Sequence, residues 1–334
     1  MSGIDGWFTR LLGRIGLLVM MPWVLLSFPG TGQAEPIGIA TLPPGGLFHT
    51  LGTVMAKLAA RETRIKMLVV PYGEMADVLK AVDGRKTDFA FADVNEVIAG
   101  VNGQAGFRER ALKNLRLAAN LLPLPVALFV RKSSRFFTIR ELAGRRVPQG
   151  EAKDFAGAVF LRAILAADGM RAPEFKGVRV SRRYPALNRF YLGRLDAMVF
   201  ALGGPMARRA DARVRGIRAL PIPYDAMALI SMQEVRPAFY ISMVLPGPRH
   251  PGVERPMPML TTDMVLVVNR EVSPEMVRIL IGVIAANKPA LVQGHFRFKD
   301  FFPRWMAKSF PGVEFHPGAL QFYRGKNRRK KKPG

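Results

Sequence analysis

The stretch Met75–Phe91, MADVLKAVDGRKTDFAF, is matched in outline by Leu187–Phe200, LNRFYLGRLDAMVF. In the first, Met75, Val78, Leu79 and Val82 share one helical face, Gly84 stops the helix, and Asp88 leads into the apolar run Phe89-Ala90-Phe91. In the second, Leu187, Phe190 and Tyr191 lie on a helix, Gly193 follows it, and Asp196 precedes Ala197-Met198-Val199-Phe200. Each copy therefore passes from helix to buried strand across a glycine stop. Helices and strands alternating through such connections predict parallel sheets, and two copies predict two similar α/β lobes.

Upstream, Ile39–Ala60 (IATLPPGGLFHTLGTVMAKLAA) reads as a strand, a turn at Pro43-Pro44-Gly45-Gly46, and a helix carrying Leu51, Val54, Met55 and Leu58 on one face. Such a turn can present backbone N–H groups to an anion. It has neither the Lys-Ser/Thr of a P-loop nor Gly-x-Gly-x-x-Gly, which argues against a nucleotide. Between the copies, Leu117–Leu121 and Val126–Val130 read as two strands, and Leu142–Val147 closes a short helix into another. The crossing from the first lobe to the second is placed near Arg131–Ser134. Further on, Ile217–Ile222 reads as a strand, Leu245–Pro258 as a proline-rich loop, and Thr261–Asn269 as a strand returning to the first lobe. Ser273-Pro274-Glu275 has the N-cap and first-turn proline of a helix start, with Met276, Ile279, Leu280 and Val283 on the buried face. Two lobes joined by two crossing strands make a hinge with a cleft between them.

The chain has 334 residues and is 49% hydrophobic, enough for a sizeable core. Arg10 and Arg14, the apolar run Ile15–Phe28, and small residues at Gly32 and Ala34 read as an export signal over residues 1–34, the alternative being an uncleaved anchor. There is no cysteine, hence no disulfide and no lipoprotein attachment point, which points to a soluble periplasmic protein. The net charge is +25 with 50 basic against 25 acidic residues, and it is not confined to the basic tail of Arg324, Lys326 and Arg328–Lys332. A basic surface outside the cytoplasm concentrates anionic solutes or rests on anionic head groups, or is simply solvated. Export and the lack of a basic–aromatic motif argue against nucleic acid as a partner.

The order of motifs resembles the TAXI family, the periplasmic solute-binding proteins of one branch of the TRAP transporters. The resemblance is carried by Gly46-Leu47-Phe48-His49 with Gly52, Gly84 and Asp88, Asn102-Gly103, Leu142–Val147, Gly193–Ala197, Gly203-Gly204-Pro205 and the C-terminal HPGALQFYRG beginning at His316. It implies an α/β, two-lobed periplasmic-binding-protein (Venus flytrap, type II) fold with two crossing hinge strands. It also implies capture of a small organic solute, a carboxylate or a zwitterion, for a TRAP-type membrane permease. The resulting division is a signal over 1–34, a first lobe over 35–131 and 262–323, a second lobe over 132–261, and a basic, disordered tail over 324–334. A stand-alone exported sensor or scaffold of the same fold is the alternative function.

By that resemblance Thr41, Gly46, Phe48 and His49 face the cleft, with Phe48 and His49 where the family usually has tyrosines. Other turns depart from the pattern. Pro71-Tyr72-Gly73-Glu74-Met75 stands for a Thr-Gly-Gly-Ser turn, Asp93-Val94-Asn95 for Gln-Ser-Asp, and Lys153-Asp154-Phe155 for Gly-Ser-Gly. The expected ligand-binding set is therefore Thr41, Gly46, Phe48, His49, Tyr72, Gly73, Glu74, Asp93, Asn95, Lys153, Asp154, Phe155, Gly204 and His250. Asp93 and Glu74 suit an ammonium, while Lys153 or His250 suits a carboxylate. The four histidines, His49, His250, His295 and His316, show no metal-ligand spacing. No Gly-x-Ser-x-Gly elbow or paired-carboxylate motif is present, so no enzyme, metal or cofactor is expected. Asp88, Asp196 and His316 read as cap or turn residues. The tail is expected to approach anionic membrane surfaces through its lysines and arginines.

Overall fold

The structure is a computed structural model that describes residues 36–63, 65–149, 157–180 and 183–330. The first half runs β1 (Ile37–Thr41), α1 (Leu47–Glu62), β2 (Met67–Pro71), α2 (Met75–Asp83), β3 (Phe89–Asp93), α3 (Val94–Val101) and the long β4 (Leu115–Arg131). The second contains β5 (Arg146–Gln149), α4 (Ala158–Ala167), β6 (Lys176–Arg179), α5 (Arg183–Tyr191), β7 (Ala197–Ala201), α6 (Pro205–Arg213), β8 (Ile217–Leu220), α7 (Ala226–Val235) and β9 (Tyr240–Val244). The chain returns through β10 (Met257–Asn269) and closes with α8 (Pro274–Ala286), α9 (Lys288–Gly294) and α10 (Pro317–Lys330).

β4 and β10 pair antiparallel from Leu260↔Val126 to Asn269↔Leu115, with register shifts at Met264/Val265 and Leu266/Val267. Around that ladder each strand changes partners. β10 pairs with β9 over Met257–Thr261 and with β3 over Met264–Val268. β4 pairs with β7 and β8 only from Val126 onward. The first half has the order β2-β1-β3-β10-β4, with β1 parallel to both β2 and β3. The two-lobed architecture with crossing strands thus stands.

Residues 117–121 and 126–130, read above as two strands, belong to the single strand β4. Pro123 and Pro125 interrupt the apolar pattern between them, and a proline inside a strand reads as a break because it supplies no ladder N–H. Here they sit where β4 passes from one half to the other, opposite Asp263 and Thr261. The change of partners falls there rather than at Arg131–Ser134. β10 likewise begins before Thr261, inside the segment read as loop, because Met257 and Pro258 pair with Val244 and Met243 of β9.

The repeat is a shared piece of hydrogen bonding. Asp88 Oδ2 accepts from the Gly38 N–H at 2.8 Å, and the Asp88 N–H donates to the Gly38 carbonyl at 3.0 Å. Asp196 Oδ2 accepts from the Arg146 N–H at 2.8 Å, and the Asp196 N–H donates to the Arg146 carbonyl at 2.8 Å. The partners are 50 residues apart in both cases. Each aspartate clasps the entry of an earlier strand, β1 or β5, to the strand it precedes, β3 or β7. The glycine stops are not identical: Gly193 has φ +75, whereas in the first copy Gly84 is at φ −88 and Arg85 takes the left-handed position at φ +55.

The C-terminal motif is structural. His316 is fully buried; its Nδ1 accepts from the Gly318 N–H at 3.2 Å, and its own N–H donates to the Leu117 carbonyl. A Cβ on Gly318 would lie 2.1 Å from the Pro274 carbonyl oxygen, so glycine lets α10 meet the start of α8. Tyr323 donates to the Ala118 and Met306 carbonyls, fixing the far side of the same helix. The tail expected to be disordered from Arg324 instead continues α10 as far as Lys330. Lys and Arg extend a helix already nucleated by packing, and their charge suits a helix C-terminus. Residues 331–334 and the expected export signal lie outside the described residues. Among the described residues no helix is long and apolar enough to cross a membrane.

Asp88→Ala would leave the Gly38 amide without its carboxylate and is expected to cost about 1–3 kcal/mol, seen as a lower thermal midpoint. Asp88→Asn keeps an acceptor and should recover most of the loss.

Candidate functional site

A cleft of about 1300 Å³ opens between the two halves, over the carboxyl ends of β1, β3 and β7. Ligands of open α/β sheets sit outside the carboxyl ends of strands, where connections diverge. The first half contributes the β1–α1 turn through Leu42, Gly46 and Phe48, the start of α2 through Glu74, and the β3–α3 junction through Asp93 and Glu96. The second contributes Phe160 and Arg162 of α4, Val199 and Phe200 of β7, and the segment Glu234–Pro237 with Phe239. Leu124 and Val126 of β4 line it where that strand crosses. Phe160 and Phe239 pack with ring centroids 5.6 Å apart, and Phe48 meets Phe91 edge-on at 6.0 Å. The walls are thus largely apolar, with charge at a few points.

Those points run against the charge of the chain. Basic residues outnumber acidic ones two to one overall, 50 to 25. In the cleft Glu74, Asp77, Asp93, Glu96 and Glu234 face Lys80, Arg108, Arg162 and Arg236, so the balance is reversed.

Asp93 lies deepest. It caps α3, its Oδ1 accepting from the Asn95 N–H at 2.9 Å and the Glu96 N–H at 3.4 Å. The residue is 5% exposed, and its Oδ2 has no hydrogen-bond partner. Burial pushes the carboxyl up to about 7, and the neighbouring Glu96 charge adds to that. The Thr262 side chain and the α3 amides pull the other way. Burial also raises Glu96, against the attraction of the Arg236 guanidinium 4.0 Å away.

Of the expected residues, the structure brings Gly46, Phe48, Glu74, Asp93 and Asn95 to the cleft. Asn95 lines it with a committed side chain: Nδ2 donates to Thr262 Oγ1 at 3.1 Å, and Oδ1 accepts from the Ala238 N–H at 2.9 Å. It is a strut between α3, β10 and the chain after α7. Thr41 and His49 are not among the lining residues. Thr41 is fully buried and its hydroxyl pairs with His49 Nδ1 at 3.0 Å, so the two close the β1–α1 turn. Tyr72 packs on the core beneath α2 and α3, and Gly73 borders open space rather than the cleft. Gly204 caps α6 below the lining, where a Cβ would come within 3.9 Å of Leu47. His250 stands off the cleft in a loop, its ring paired with the Leu245 carbonyl at 3.1 Å. Lys153, Asp154 and Phe155 lie outside the described residues.

Sequence reading missed Glu96, Arg236, Phe160 and Phe239. Glu96 had a local signal, the Asp-x-x-Glu spacing of a helix start at Asp93–Glu96. Arg236 had none, since its place beside Glu96 is made by contact across the chain. Among the described residues there is no group of three His, Asp or Glu side chains able to hold a metal ion.

The sequence model of the NMT1-like family matches residues 39–326. Among solved structures, one described as a periplasmic transporter is 12% identical, covers 89% of this chain and 96% of its own, and superposes with a TM-score of 0.54. A ligand-free TctC solute-binding protein from Polaromonas is 16% identical, with 88% and 96% coverage and a TM-score of 0.49. The periplasmic aliphatic sulphonate binding protein SsuA from Escherichia coli is 15% identical, with 87% and 83% coverage and a TM-score of 0.49.

Because Asp93 is raised, its contribution to stability is greatest when it is protonated in both states, and is lost as pH climbs from the unfolded value of 3.8 through about 7. Asp93→Asn removes that loss and keeps the cap. The variant is expected to be about as stable as the parent near pH 4 and more stable by up to ~4 kcal/mol at pH 8, read from denaturant melts at both.

Proposed function

From the premise that this chain belongs to the NMT1-like family, we propose that it is an exported solute-binding protein. It takes a small organic solute into the cleft and presents it to a membrane transporter, with no covalent chemistry. The observation that carries this reading is the cleft itself: about 1300 Å³, walled by both halves, which are linked through the continuous strands β4 and β10. A solute touching both walls binds the closed form better than the open one and so shifts the hinge equilibrium toward closure. A permease then has a state to recognise.

Within that reading we assign the first lobe to the strands β1, β2 and β3 with the Asn269 end of β10, and the second to β5 through β9. The boundary is taken at Leu122–Val126. The order of motifs from Gly46 to the C-terminal HPGALQFYRG supports the narrower assignment to the TAXI branch of TRAP systems. Closure places Arg162 and Arg236 of the second wall toward the acidic first wall, an arrangement that suits a zwitterion. In sequence, Lys326 and Arg328–Lys332 add a basic segment that favours anionic head groups, each charge near such a surface contributing ~1 kcal/mol before ordering costs.

Thermal melts against amino acids, dicarboxylates, keto acids and organic amines test solute capture. A ligand at a hundred times its Kd stabilises by ~2.7 kcal/mol, which should raise the midpoint by several degrees. A flat response across the panel would count against the reading. Deleting residues 325–334 is expected to leave solute affinity unchanged and to weaken sedimentation with anionic vesicles, most at low salt. Equal sedimentation with and without the segment at low salt would remove the membrane role of the tail.

A further inference from the structure

The feature of the cleft that its apolar walls do not explain is a carboxylate oxygen with nothing to bind. Asp93 Oδ2 is buried and has no hydrogen-bond partner, while Oδ1 of the same group is spent on the α3 amides. A buried acceptor left unmade costs on the order of 1–3 kcal/mol, more when it is charged, so an empty position here is unfavourable. Glu96, one turn along α3, lines the same cleft and adds a second carboxylate. Arg236 lies 4.0 Å from Glu96 and only partly offsets it. Asn95, the other polar side chain at this junction, is held by Thr262 and Ala238. What Asp93 Oδ2 lacks is an N–H donor carrying positive charge.

Resting on the reading of this cleft as a solute site, we propose that the solute is an organic ammonium. Asp93 Oδ2 accepts from its protonated amine, Glu96 supplies the second negative charge, and the rings of Phe48 and Phe160 cover its apolar body. A primary ammonium matches the site in three respects. It has donors only, it neutralises the excess acid at the β3–α3 junction, and its attached carbon chain needs the apolar walls. An anionic solute would bring its oxygens against Asp93 and Glu96 and be repelled at the same place. The inference therefore reverses what the charge of the whole chain implies about its ligand.

Titration calorimetry with three six-carbon probes at matched ionic strength tests this: hexylammonium, leucine and hexanoate. Hexylammonium or leucine, or both, should bind and hexanoate should not. Asp93→Asn should weaken the binding amine at least tenfold at pH 8, and Glu96→Gln should weaken it less. Asparagine keeps the α3 cap, so an unchanged circular-dichroism spectrum checks that the variant folds; should it not, Glu96→Gln and the pH series on the unaltered protein decide. In that series amine affinity should rise with pH up to about neutrality and then level. The charged neighbour of Asp93 is Glu96 on the same helix, and Arg236 after α7 lies 4.0 Å from Glu96. Failure of both amines to bind overturns the assignment, as does amine binding that neither variant changes and pH does not affect. If carboxylates from the wider panel bind while amines do not, solute capture stands and the ammonium seat falls; a flat response to the entire panel removes both.

Discussion

The pairing of β4 with β10 is the constraint from which the rest of the architecture follows. Both strands run through the middle of the molecule, and each serves one half with one end and the other half with the other. Where they cross, Pro123 and Pro125 give up ladder donors, and the carbonyls there find other partners: Pro125 receives the Leu202 N–H, and Pro123 the Arg297 guanidinium. Opposite, Asp263 is buried and accepts from Tyr240 at 3.0 Å and from Lys308 at 2.5 Å. Removing Lys308 would leave the buried Asp263 charge with only the Tyr240 hydroxyl, so this polar knot ties the crossing to its surroundings even though its net contribution to stability is small. The cleft lies over the crossing because the strands that end there leave their turns and helix starts facing each other.

Each half is assembled by the same local device. Asp88 and Asp196 close on the amides of Gly38 and Arg146 and return their own N–H to the carbonyls of those residues. A carboxylate bonded to a strand amide does two things: it satisfies a donor at a strand entry and it sets the register of two parallel strands whose contact is otherwise slight. In the second half the Arg146 guanidinium also grips Asp196, holding that carboxyl below its ordinary value although burial works against it. The device accounts for both aspartates without a catalytic role.

Charge is distributed on two scales. The chain is basic overall, 50 Lys and Arg against 25 Asp and Glu, and the guanidinium groups of Arg145, Arg218 and Arg131 lie on the rings of Phe136, Phe137 and Phe190. Within the cleft the balance turns acidic at the β3–α3 junction. Long-range electrostatic attraction depends on the first scale, while recognition within a cleft depends on the second, because only groups in contact in a low-dielectric site act with full strength. Net charge alone therefore does not describe the cleft.

Features encoded over short spans were legible in the sequence. The helical stripe of Met75–Val82, the helix stop at Gly84, the Ser273-Pro274 helix start and the His316-Pro317-Gly318 turn act through neighbours a few residues away and are found as read, whereas Asp88 and Asp196, read as cap or turn residues, bond to strands 50 residues away. What failed were inferences about partners. Prolines divided β4 on paper, since a sequence does not show that the strand runs on through them with the Pro123 and Pro125 carbonyls bonded to Arg297 and Leu202. His49 looked free for a ligand until the fold set it against Thr41, and Asn95 until Thr262 and Ala238 took both ends of its amide. Arg236 reached Glu96 from a distant part of the chain with no local pattern to announce it. The sequence by itself determined which elements form, because propensity, capping and periodicity are local. Only the tertiary structure decided which polar groups are spent on one another and which, like Asp93 Oδ2, are left without a partner, because hydrogen-bond satisfaction in a buried site is settled by atoms brought together from across the chain.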